Sequence, residues 1–597
     1  MKKFLSLVLA LVMTMSLVTV SAGAVDFTDD SDIDYKEAVD VISALGIVDG
    51  YSDDSFRPDG SLTRGAAAKI ICNLILGPTT ASALSATTAP FKDVPTTNVF
   101  AGYITYCAQQ GIIGGYGDGT FRPSGTLTGN AFMKMLLGAL GYDSSIEGYT
   151  GSNWQVNVTK QAIGIGLDDG NDEFAGSKAV TRQEAALYAC NMLQATMVEY
   201  ENKSTIVVGG VEINTTSTRK DVTNTASRTD GNIGDADGLM QFAERYFTNL
   251  KLETSSDDFG RPANVWTYKS DEIGTYAKNS DLVATFTARV NADDIYDAVG
   301  RNVYDSLSDG KSVLYNYVDG DGGRVARTDI DSYVERNNTT KVNSSDNGML
   351  TEVYVDDDNN VSIVSVNTYV FQAVSDYSAS RDSVSLTKAG DTAITLTSST
   401  LDGEDFDIKN IKADDYILVT AVKDGSRYEV KSVAVAEKTT GMVNGYKLDS
   451  NVTIGDTEYK YSATALDKNN DSGVRNTMYT VGQDAAVVLD QYGYIIAVDA
   501  AVVSNNYVYI SEFAQPSGLS NGKIVASAFF TDGTTADITV RELLGSSSKN
   551  SIMPGSSPDT TNAGWYTYSV NSSNEYSLYA VESKYGHGSK GADWGKE

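Results

Sequence analysis

Apolar residues recur every three or four positions in six short runs within the first 200 residues. This spacing places them on one face of an α-helix, so each run predicts a short amphipathic helix. The runs come in pairs separated by loops rich in glycine and aspartate, which predicts three helix–loop–helix segments. The predicted helices cover 35–45, 63–76, 101–110, 130–140 and 184–197, and the remaining one begins near Trp154.

The three loops are copies of one another. The first reads GIVDGYSDDSFRPDGSLTR over 46–64, and it returns as GIIGGYGDGTFRPSGTLTG over 111–129. A third, more divergent copy over 164–182 reads GIGLDDGNDEFAGSKAVTR. Because glycine and phenylalanine keep the same spacing in all three, the segments form a sequence repeat. We assign repeat 1 to 25–77, repeat 2 to 91–142 and repeat 3 to 143–200, with a Thr-, Ala- and Ser-rich linker over 78–90.

After about residue 203, apolar and polar positions alternate, and Val, Thr, Tyr, Ser, Asp and Gly dominate the composition. Alternation with a period of two, interrupted by Asp/Gly turns, predicts β-strands. Three predicted hairpins have turns 67 residues apart: they cover 352–366, 417–435 and 486–498, with turns at Asp357, Asp424 and Gln491. This spacing predicts tandem β-modules over 346–597, after a mixed, β-rich domain over 205–345.

The length of 597 residues exceeds that of a single hydrophobic core, so the chain is expected to be multidomain. The fold class that we predict is an α-helical N-terminal module of three repeats, followed by β-rich domains. Residues 1–24 have the features of a signal peptide, with Lys2 and Lys3 before an apolar stretch and small residues at 22–24. No later stretch reaches the roughly 18 apolar residues of a membrane helix. We therefore expect an exported protein without a membrane span of its own.

Charged and reactive residues argue against several classes of function. The chain has 78 Asp and Glu against 46 Lys and Arg, a formal net charge of −32, and this excess disfavours nucleic-acid binding. The single histidine, His587, argues against a histidine-based triad or a multi-histidine metal site. The cysteines Cys72, Cys107 and Cys190 are expected to be small buried hydrophobic residues. Cys72 and Cys190 occupy equivalent helix positions in different repeats, so we do not expect a disulfide between them.

The start of the second helix in each repeat carries the candidate chemistry. In repeat 3, Thr181 is suited to cap the helix and Glu184 to complete a capping box. Arg182 is then free at the first helical position, where its planar guanidinium suits a carboxylate or phosphate, although solvation of the helix start is the alternative. The other repeats have the capping threonine without the glutamate: Thr63-Arg64 in repeat 1 and Thr128-Gly129 in repeat 2. We therefore expect Arg182→Ala to weaken ligand binding more than Arg64→Ala.

These motifs together resemble the S-layer homology (SLH) repeat of bacterial cell-surface proteins. The resemblance rests on the FxDV segment, the GI-x-GY-x-DGTFRP loop and the LTR or TRQE helix start, and it covers about residues 25–200. It implies three repeats packed as a pseudo-threefold helical prism, whose grooves bind secondary cell-wall polysaccharide, often pyruvylated, without a covalent bond. The family's binding motif corresponds to Arg182 with Glu184 and to Arg64, and its FxD carboxylate to Asp29 and Asp93. Repeat 3 has no clear counterpart of that carboxylate. The segment 257–277 resembles, less specifically, the C-terminal parts of SLH-bearing surface proteins of Clostridia-like bacteria.

Two further features leave alternatives open. Each first helix starts with an aromatic residue that either packs in the core or stacks on a sugar: Tyr35, Phe100 or Trp154. Of these, Trp154 is the one that we assign to glycan binding. Acidic loops with the hard oxygen ligands that Ca2+ prefers, but also with the composition of ordinary turns, lie at 168–172, 319–321 and 356–358. Ca2+ is thus the one cofactor candidate, and no metal ligand is assigned.

The predicted function is non-covalent anchoring of a β-rich structural protein at the cell wall, with no enzymatic activity. Arg64 and Arg182 would pair with anionic groups of the secondary cell-wall polysaccharide, a glycan linked to peptidoglycan. Several weak sites on one polymer would strengthen binding through effective concentration. The β-modules are expected to self-associate in a surface array. The alternatives are an anchored adhesin or cargo-binding protein and, third, a tethered polysaccharide hydrolase, whose carboxylate pair depends on geometry rather than on sequence spacing.

Overall fold

The structure, a computed structural model, describes residues 27–201, 205–208, 211–214, 218–447, 449–465, 473–477, 479, 481–499, 507–515, 523–531, 533–544, 557, 560, 562–570 and 575–580. The signal peptide predicted at 1–24 and the single histidine, His587, lie outside these residues. Within the described part of the chain, no helix combines the length and apolar content needed to cross a membrane.

The first 200 residues are mainly helical, as predicted. The α-helices of the described chain are α1 (Lys36–Ala44), α2 (Arg64–Leu76), α3 (Pro78–Ser82), α4 (Ala101–Gln109), α5 (Gly129–Leu140), α6 (Trp154–Gly164), α7 (Arg182–Gln194), α8 (Phe242–Tyr246), α9 (Ala292–Val299) and α10 (Arg301–Asp309). Short 3-10 helices lie at Asp30–Asp32, Asn279–Asp281, Arg327–Ser332, Val342–Ser344 and Val474–Asn476. Each repeat contributes two main helices, α1 and α2, α4 and α5, or α6 and α7. Helix α7 ends three residues before its predicted end, because Ala195 has an extended backbone with ψ of 140°.

The three repeats close into a ring through the residue before each capping threonine. The backbone N–H of Leu62 donates to Val180 at 2.9 Å, that of Val180 to Leu127 at 2.9 Å, and that of Leu127 to Leu62 at 3.0 Å. The helices follow the same cyclic order, since the first helix of each repeat packs on the second helix of the preceding one. These pairs are α4 on α2, α6 on α5 and α1 on α7. The last repeat therefore contacts the first, and the three boundaries between repeats are equivalent.

The predicted linker 78–90 packs on the repeats. It begins with the short helix α3, in which Ala81 is fully buried within the core of the helical module. A Cβ atom at Gly102 would lie 2.4 Å from the carbonyl oxygen of Leu84. The segment between repeats 1 and 2 is thus held closely against α4, where only glycine fits.

The rest of the described chain is rich in β-structure, as predicted. Its strands are β1 (Val198–Glu201), β2 (Thr205–Val208), β3 (Val211–Asn214), β4 (Thr218–Asp221), β5 (Leu250–Ser256), β6 (Pro262–Tyr268), β7 (Asp271–Ala277), β8 (Leu282–Phe286), β9 (Leu314–Val318), β10 (Asp321–Arg324), β11 (Leu350–Val355), β12 (Val361–Val366), β13 (Tyr369–Ala373), β14 (Ser383–Lys388), β15 (Thr400–Asp402), β16 (Tyr416–Asp424), β17 (Arg427–Val435), β18 (Glu437–Lys447), β19 (Asn451–Ile454), β20 (Thr457–Lys460), β21 (Asp484–Leu489), β22 (Ile495–Asp499), β23 (Tyr507–Ala514), β24 (Ile524–Phe530), β25 (Thr535–Leu544), β26 (Gly564–Val570) and β27 (Glu575–Ala580). The smaller sheets are β1-β4, β2-β3 and β5-β6-β7, and the last five strands form a closed barrel of order β23-β24-β25-β27-β26.

The three predicted hairpins are present as β11–β12, β16–β17 and β21–β22. Each belongs to a different five-stranded sheet, and the sheet orders are β10-β9-β12-β11-β8, β15-β14-β13-β16-β17 and β20-β19-β18-β21-β22. The second and third sheets share one topology, whereas the first differs. The first sheet extends from β8 to β12, so the boundary predicted at 345/346 falls inside it. Helices α9 and α10 separate β8 from β9 in the sequence. Because of this separation, the sequence pattern does not indicate that β8 belongs to the same sheet as β9 to β12.

A polar junction joins the helical module to the sheet β5-β6-β7. Glu37 of α1 accepts hydrogen bonds from the indole Nε1 of Trp266 at 2.7 Å and from Nδ2 of Asn264 at 2.9 Å. Asp40, one turn further along α1, accepts from the hydroxyl of Tyr276 at 2.7 Å. Trp266 is fully buried and belongs to the same hydrophobic core as the helices. The repeats and the sheet β5-β6-β7 therefore share one core.

Candidate functional site

Each second helix begins on the loop of another repeat, and the same backbone hydrogen bond forms every time. The bonds from helix N–H to loop carbonyl are Arg64 to Gly125 (2.9 Å), Gly129 to Lys178 (3.0 Å) and Arg182 to Gly60 (2.9 Å). Repeat 1 thus places its helix start on the loop of repeat 2, repeat 2 on repeat 3, and repeat 3 on repeat 1. Three sites with the same backbone arrangement result, and each combines residues from two repeats.

Arg182 lies against the loop of repeat 1. Its Nε donates to the carbonyl of Phe56 at 2.8 Å, and its Nη2 donates to the carbonyl of Asp49 at 2.9 Å. Its Cζ is 4.8 Å from the ring centroids of both Tyr51 and Phe56, a distance at which an aromatic ring attracts a cation. Burial lowers the pKa of Arg182 from its ordinary value of 12.5, but a guanidinium remains charged near neutral pH. Within the described residues this guanidinium has no ion pair with a carboxylate.

A second arginine shares the same tyrosine ring. The Cζ of Arg57 lies 4.0 Å from the ring centroid of Tyr51, which is 42% exposed. Arg57 has a left-handed φ of 58°, and its Nη2 is 2.8 Å from Oδ2 of Asp53. Because both side chains of this ion pair are exposed, solvent screens their attraction. We name Tyr51, Arg57 and Arg182 site A.

The boundary between repeats 1 and 2 has the same arrangement around Tyr116, which is 43% exposed. Nε of Arg64 donates to the carbonyl of Phe121 at 2.8 Å, and Nη2 donates to that of Gly114 at 3.2 Å. The Cζ atoms of Arg64 and Arg122 lie 5.1 and 4.1 Å from the ring centroid of Tyr116. Arg122 also has a left-handed φ, of 61°. We name Tyr116, Arg122 and Arg64 site B.

The FxD carboxylates hold the loops of sites A and B in place. Asp29 accepts from two successive backbone N–H groups, those of Phe56 and Arg57, both at 2.7 Å. Asp93 makes the two corresponding bonds in the loop of repeat 2, also at 2.7 Å. Desolvation acts to raise the pKa of Asp29, but these bonds outweigh it and lower the pKa below its ordinary value, and the same holds for Asp93. Both carboxylates are thus bound to the loop backbone.

The third boundary has different side chains on the same backbone arrangement. Gly129 stands at the position of the helix arginine, Asp169 at that of the tyrosine and Ala175 at that of the loop arginine. We name these three residues site C. A Cβ atom at Gly129 would lie 3.0 Å from Cε2 of Phe174 and 3.2 Å from Cα of Gly176, so Phe174 fills the space beside this helix start. The incomplete helix motif of repeat 2 and the divergent loop of repeat 3 therefore meet in one site.

The threonines before the second helices cap them, and Glu184 acts with one of them. Each threonine Oγ1 accepts from the N–H three residues on, at 3.2 Å for Thr63, 3.4 Å for Thr128 and 3.2 Å for Thr181. The carboxylate of Glu184 accepts from the N–H of Thr181 at 2.7 Å, which completes a capping box. Its other oxygen is 3.4 Å from Nδ2 of Asn171. Glu184 is thus held at the start of α7.

Glu184 and Trp154 make their contacts outside sites A and B, although Glu184 is only two residues after Arg182. An open groove of about 390 Å3 adjoins site C, and its lining includes Tyr35, Phe174 and Glu184. Trp154 is half-buried at the start of α6, where Nζ of Lys134 is 5.6 Å from its ring centroid. The structure therefore brings Arg64, Arg182, Asp29 and Asp93 to sites A and B, and it places Glu184 and Trp154 elsewhere.

The acidic loops named as Ca2+ candidates form hydrogen-bonded turns where the structure shows their contacts. Among the described residues, no group of three or more His, Cys, Asp or Glu side chains is arranged to hold a metal ion. Asp319 is buried and accepts from Nδ2 of Asn367 at 2.9 Å and from the hydroxyl of Tyr369 at 2.7 Å. Asp356 accepts from the N–H of Asn360 at 2.8 Å. The protein's own donors therefore bind the carboxylates of Asp319 and Asp356.

Sequence reasoning did not assign Tyr51, Tyr116, Arg57 and Arg122 to the site. A signal for them exists, because all four belong to the GYxDxxFRP stretch that loops 1 and 2 share and loop 3 lacks. Each tyrosine, however, meets the helix arginine of a different repeat. Spacing within one repeat does not reveal such a contact, and the ring of repeats has to be known first.

Comparison with known proteins identifies one domain family in the regions of repeats 1 and 2. The S-layer homology domain family matches residues 26–68 and 90–132. The Surface layer protein of Brevibacillus choshinensis is 27% identical over 180 residues, which are 30% of this chain and 16% of that protein. The Cell surface protein of Thermoanaerobacter kivui is 25% identical over 334 residues, 53% of this chain and 41% of that protein. Exoglucanase XynX of Acetivibrio thermocellus is 26% identical over 184 residues, 29% of this chain and 16% of that protein.

The chain spans less than half the length of each of these curated relatives. An alignment of 334 residues is longer than the helical module, so the match to the Cell surface protein includes part of the β-rich chain. The solved structure of drosophila Unr CSD456 matches 36% of this chain and 96% of its own at 11% identity, with a TM-score of 0.12 that is too low to bear on the fold. The two domain matches and the surface proteins among the relatives show that this chain is a cell-surface protein with S-layer homology domains.

Proposed function

We propose that sites A and B anchor the protein by binding an anionic secondary cell-wall polysaccharide without a covalent bond. SLH domains imply anchoring at the cell wall, and the chemistry of sites A and B supports this particular ligand. One observation carries the proposal: in both sites, two guanidinium groups lie within 5.1 Å of the centroid of one partly exposed tyrosine ring. We also infer that the three repeats form a pseudo-threefold prism, which the cyclic hydrogen bonds and cyclic helix packing support.

The two arginines of each site have different roles in this proposal. The helix arginine, Arg64 or Arg182, is held by two backbone carbonyls and keeps its charge without a carboxylate partner among the described residues. A fixed guanidinium of this kind favours an anionic ligand, and its planar fork matches a carboxylate such as that of a pyruvate ketal. The loop arginine, Arg57 or Arg122, is in an exposed ion pair that contributes little. A ligand carboxylate can therefore replace that partner at low cost.

Tyr51 and Tyr116 provide the surface for the sugar itself. Their exposed fractions of 42% and 43% leave ring area open beside the charges, and a tyrosine ring combines apolar contact with a hydroxyl that can form a hydrogen bond. The neighbouring Arg57 and Arg122 have left-handed φ angles of 58° and 61°. Backbone strain of this kind costs free energy and concentrates at functional sites. Its presence in both copies supports a binding role for these loops.

We infer two working sites, because site C has none of the three side chains. Sites A and B have matched geometry, and the glutamate that distinguishes the helix motif of repeat 3 caps its helix instead of joining site A. We therefore expect Arg64 and Arg182 to contribute similarly, in contrast to the larger role that the sequence motif indicates for Arg182. Two weak sites on one polymer gain from effective concentration, so the loss of both has a greater effect than the loss of either.

Sedimentation of the full chain with purified cell walls tests the proposal. Arg64→Ala and Arg182→Ala should each weaken binding by about 10- to 100-fold, since a hydrogen bond to a charged group contributes roughly 1.5–3 kcal/mol. The double variant should remain in the supernatant. Arg301→Ala is the control, because Arg301 is 80% exposed and pairs with Asp305 outside the repeats.

Two outcomes would contradict this mechanism. Unchanged sedimentation of the double variant would show that sites A and B do not hold the wall. Equal binding to native walls and to walls from which pyruvate has been removed would exclude the carboxylate as the group that the arginines bind.

We propose that the β-rich part is structural and that it associates with copies of itself in a surface array. The surface proteins among the relatives support this role. Electron microscopy of the purified full chain, with and without Ca2+, tests it, and particles that remain single under both conditions would contradict it.

The exoglucanase among the relatives favours a tethered hydrolase as the second candidate. Release of reducing sugar from wall polysaccharide or cellulose by the full chain would decide for that candidate.

A further inference from the structure

Two of the three cysteines meet at the boundary between repeats 1 and 2. Cys72 of α2 and Cys107 of α4 are both fully buried, and their Sγ atoms are 3.5 Å apart. Each thiol also lies 3.6 Å from a backbone carbonyl of the opposite helix: that of Tyr103 for Cys72 and that of Ala68 for Cys107. Each of these carbonyls is one helical turn before the opposing cysteine. The pair thus lies within the contact between the two helices.

We propose that Cys72 and Cys107 form a disulfide that joins repeat 1 to repeat 2 in the protein at the cell surface. A disulfide bond is about 2.05 Å long, so the two Sγ atoms need to approach by about 1.5 Å from their present separation. Disulfides persist in oxidising environments outside the cytoplasm, where a cell-surface protein resides. The expectation that the cysteines are buried is confirmed, and the structure adds that two of them are neighbours.

The oxidation requires an external disulfide, such as oxidised glutathione, as the electron acceptor. The thiolate of one cysteine attacks that disulfide, forms a mixed disulfide and releases one thiol. The other cysteine then attacks the mixed disulfide, which forms the Cys72–Cys107 bond and releases a second thiol. The two cysteine protons and two electrons thereby end on the two released thiols.

Burial in the folded core slows this reaction, so we expect the disulfide to form while the protein folds. The hydrogen bond with Cys72 and burial raise the pKa of the Cys107 thiol well above its ordinary value, and the thiolate is the reactive form. Before α2 and α4 pack together, both thiols are accessible to the oxidant. Once formed, the disulfide is shielded by the same burial from reduction.

The disulfide would act on site B. It closes a loop between residues 35 positions apart, and cross-linking of this kind restricts the unfolded chain and stabilises the folded one. Arg64 at the start of α2 and Tyr116, which follows α4, belong to the two repeats that it joins. Site B would therefore have a covalent link between its halves, whereas site A would depend on noncovalent contacts alone.

Cys190 provides an internal control. It lies eight residues after Arg182, as Cys72 lies eight residues after Arg64, and it is buried in α7. It is a free thiol without a cysteine neighbour among the described residues. A difference in alkylation between Cys72 and Cys190 would therefore result from the neighbouring Cys107 and not from burial in the helix.

Alkylation of the full-length protein, isolated after export without reductant and quenched with acid, tests the proposal. The protein is unfolded in guanidinium chloride, treated with iodoacetamide and weighed by mass spectrometry. We expect one alkylated thiol per chain before reduction and three after it. Cys190→Ser should give none before and two after, and Cys107→Ser should give two before reduction.

Peptide mapping and urea unfolding provide a second, independent test. A peptide that links Cys72 to Cys107 is expected, and reduction should lower the urea midpoint of the parent and of Cys190→Ser but leave that of Cys107→Ser unchanged. Three alkylated thiols in the unreduced parent would overturn the proposal. So would a disulfide that includes Cys190 or one that joins two chains.

Discussion

The substitution Trp266→Phe removes one hydrogen-bond donor from the junction between α1 and the sheet β5-β6-β7. Nε1 of Trp266 donates to Glu37 at 2.7 Å, and Nδ2 of Asn264 donates to the same carboxylate oxygen at 2.9 Å. Phenylalanine keeps much of the apolar contact of this fully buried side chain but leaves Glu37 with one donor. A hydrogen bond to a charged group contributes roughly 1.5–3 kcal/mol, so we expect the free energy of unfolding to fall by about 2 kcal/mol near neutral pH.

The loss should grow as the pH rises. Burial raises the pKa of Glu37 above its ordinary value of 4.5, while the bonds from Trp266 and Asn264 act to lower it. The native state therefore binds this proton more tightly than the unfolded state does. The contribution of Glu37 to stability falls as the pH rises from the ordinary pKa through the raised one. Because Trp266→Phe removes a bond that favours the ionised form, the pKa rises further, and the variant loses more stability near pH 8 than near pH 5.

Urea unfolding followed by far-ultraviolet circular dichroism at the two pH values measures this effect. In a Glu37→Gln background the same substitution should cost about 1 kcal/mol at both pH values, since a bond between neutral groups contributes less. Trp154→Phe is the matched control for loss of an indole elsewhere in the helical module. An equal loss at both pH values in the parent background would refute the role given to the Glu37 charge.

Three further predictions test the fold and the loops. Arg261→Met leaves two buried carboxylates without their cation and should cost about 3–5 kcal/mol in unfolding free energy by calorimetry, whereas Arg301→Met, in an exposed pair, should leave stability unchanged. Gly129→Ala should lower the melting temperature because its Cβ would lie 3.0 Å from a side chain, while Gly164→Ala, with open space around it, should not lower it. The pKa of Asp29 is lowered, so its support of loop 1 is present above the ordinary pKa and is lost as the pH falls through the lowered one. Amide hydrogen exchange in loop 1 should therefore become faster, relative to the intrinsic rate, as the pH falls through that pKa. Asp29→Asn should remove this acid dependence, and a variant that keeps it would contradict the role given to Asp29.

The helices of the repeats can be predicted from sequence because their determinants are local. Apolar spacing defines the buried face of each helix, and a threonine cap fixes where the second helix of each repeat begins, as Thr181 does for α7. The end of α7 was the least predictable point, since Ala195 turns into an extended segment that leads to β1. Tertiary contacts of that segment, rather than helix propensity, end the helix there.

The β-rich part shows where local pattern stops being informative. Hairpins such as β16–β17 follow from alternation and a turn, and the structure contains them. The parallel pairs β9–β12 and β25–β27 join strands that are separated by other elements, and the second of these pairs closes the barrel. Alternation of apolar residues indicates that a strand is present but does not specify its neighbour. Pairings between distant strands therefore require the structure.

The contacts of the candidate site also cannot be predicted from local sequence pattern. The helix-start motif identifies Arg182 as chemically special, but its partner Phe56 is 126 positions away. The contact exists because the third repeat closes the ring onto the first, and no motif within a repeat records that closure. The cysteines show the same effect. The sequence indicates that Cys72 and Cys190 occupy equivalent helix positions, but it does not indicate that the boundary between repeats places Cys72 beside Cys107.

The charge of the chain bears on how the proposed anchor works. With a net charge of −32, the chain as a whole has the same sign of charge as an anionic polymer, and their repulsion extends over a screening distance of about 8 Å at physiological ionic strength. At sites A and B, backbone carbonyls position the helix arginines, so neither arginine is in a direct ion pair with a carboxylate of the described residues. In the proposed mode of anchoring, an anionic wall glycan would be attracted at these two sites and repelled elsewhere. In the proposed anchor, the same repulsion would keep the acidic β-rich part from lying along the polymer, and that part would project from the wall towards neighbouring copies.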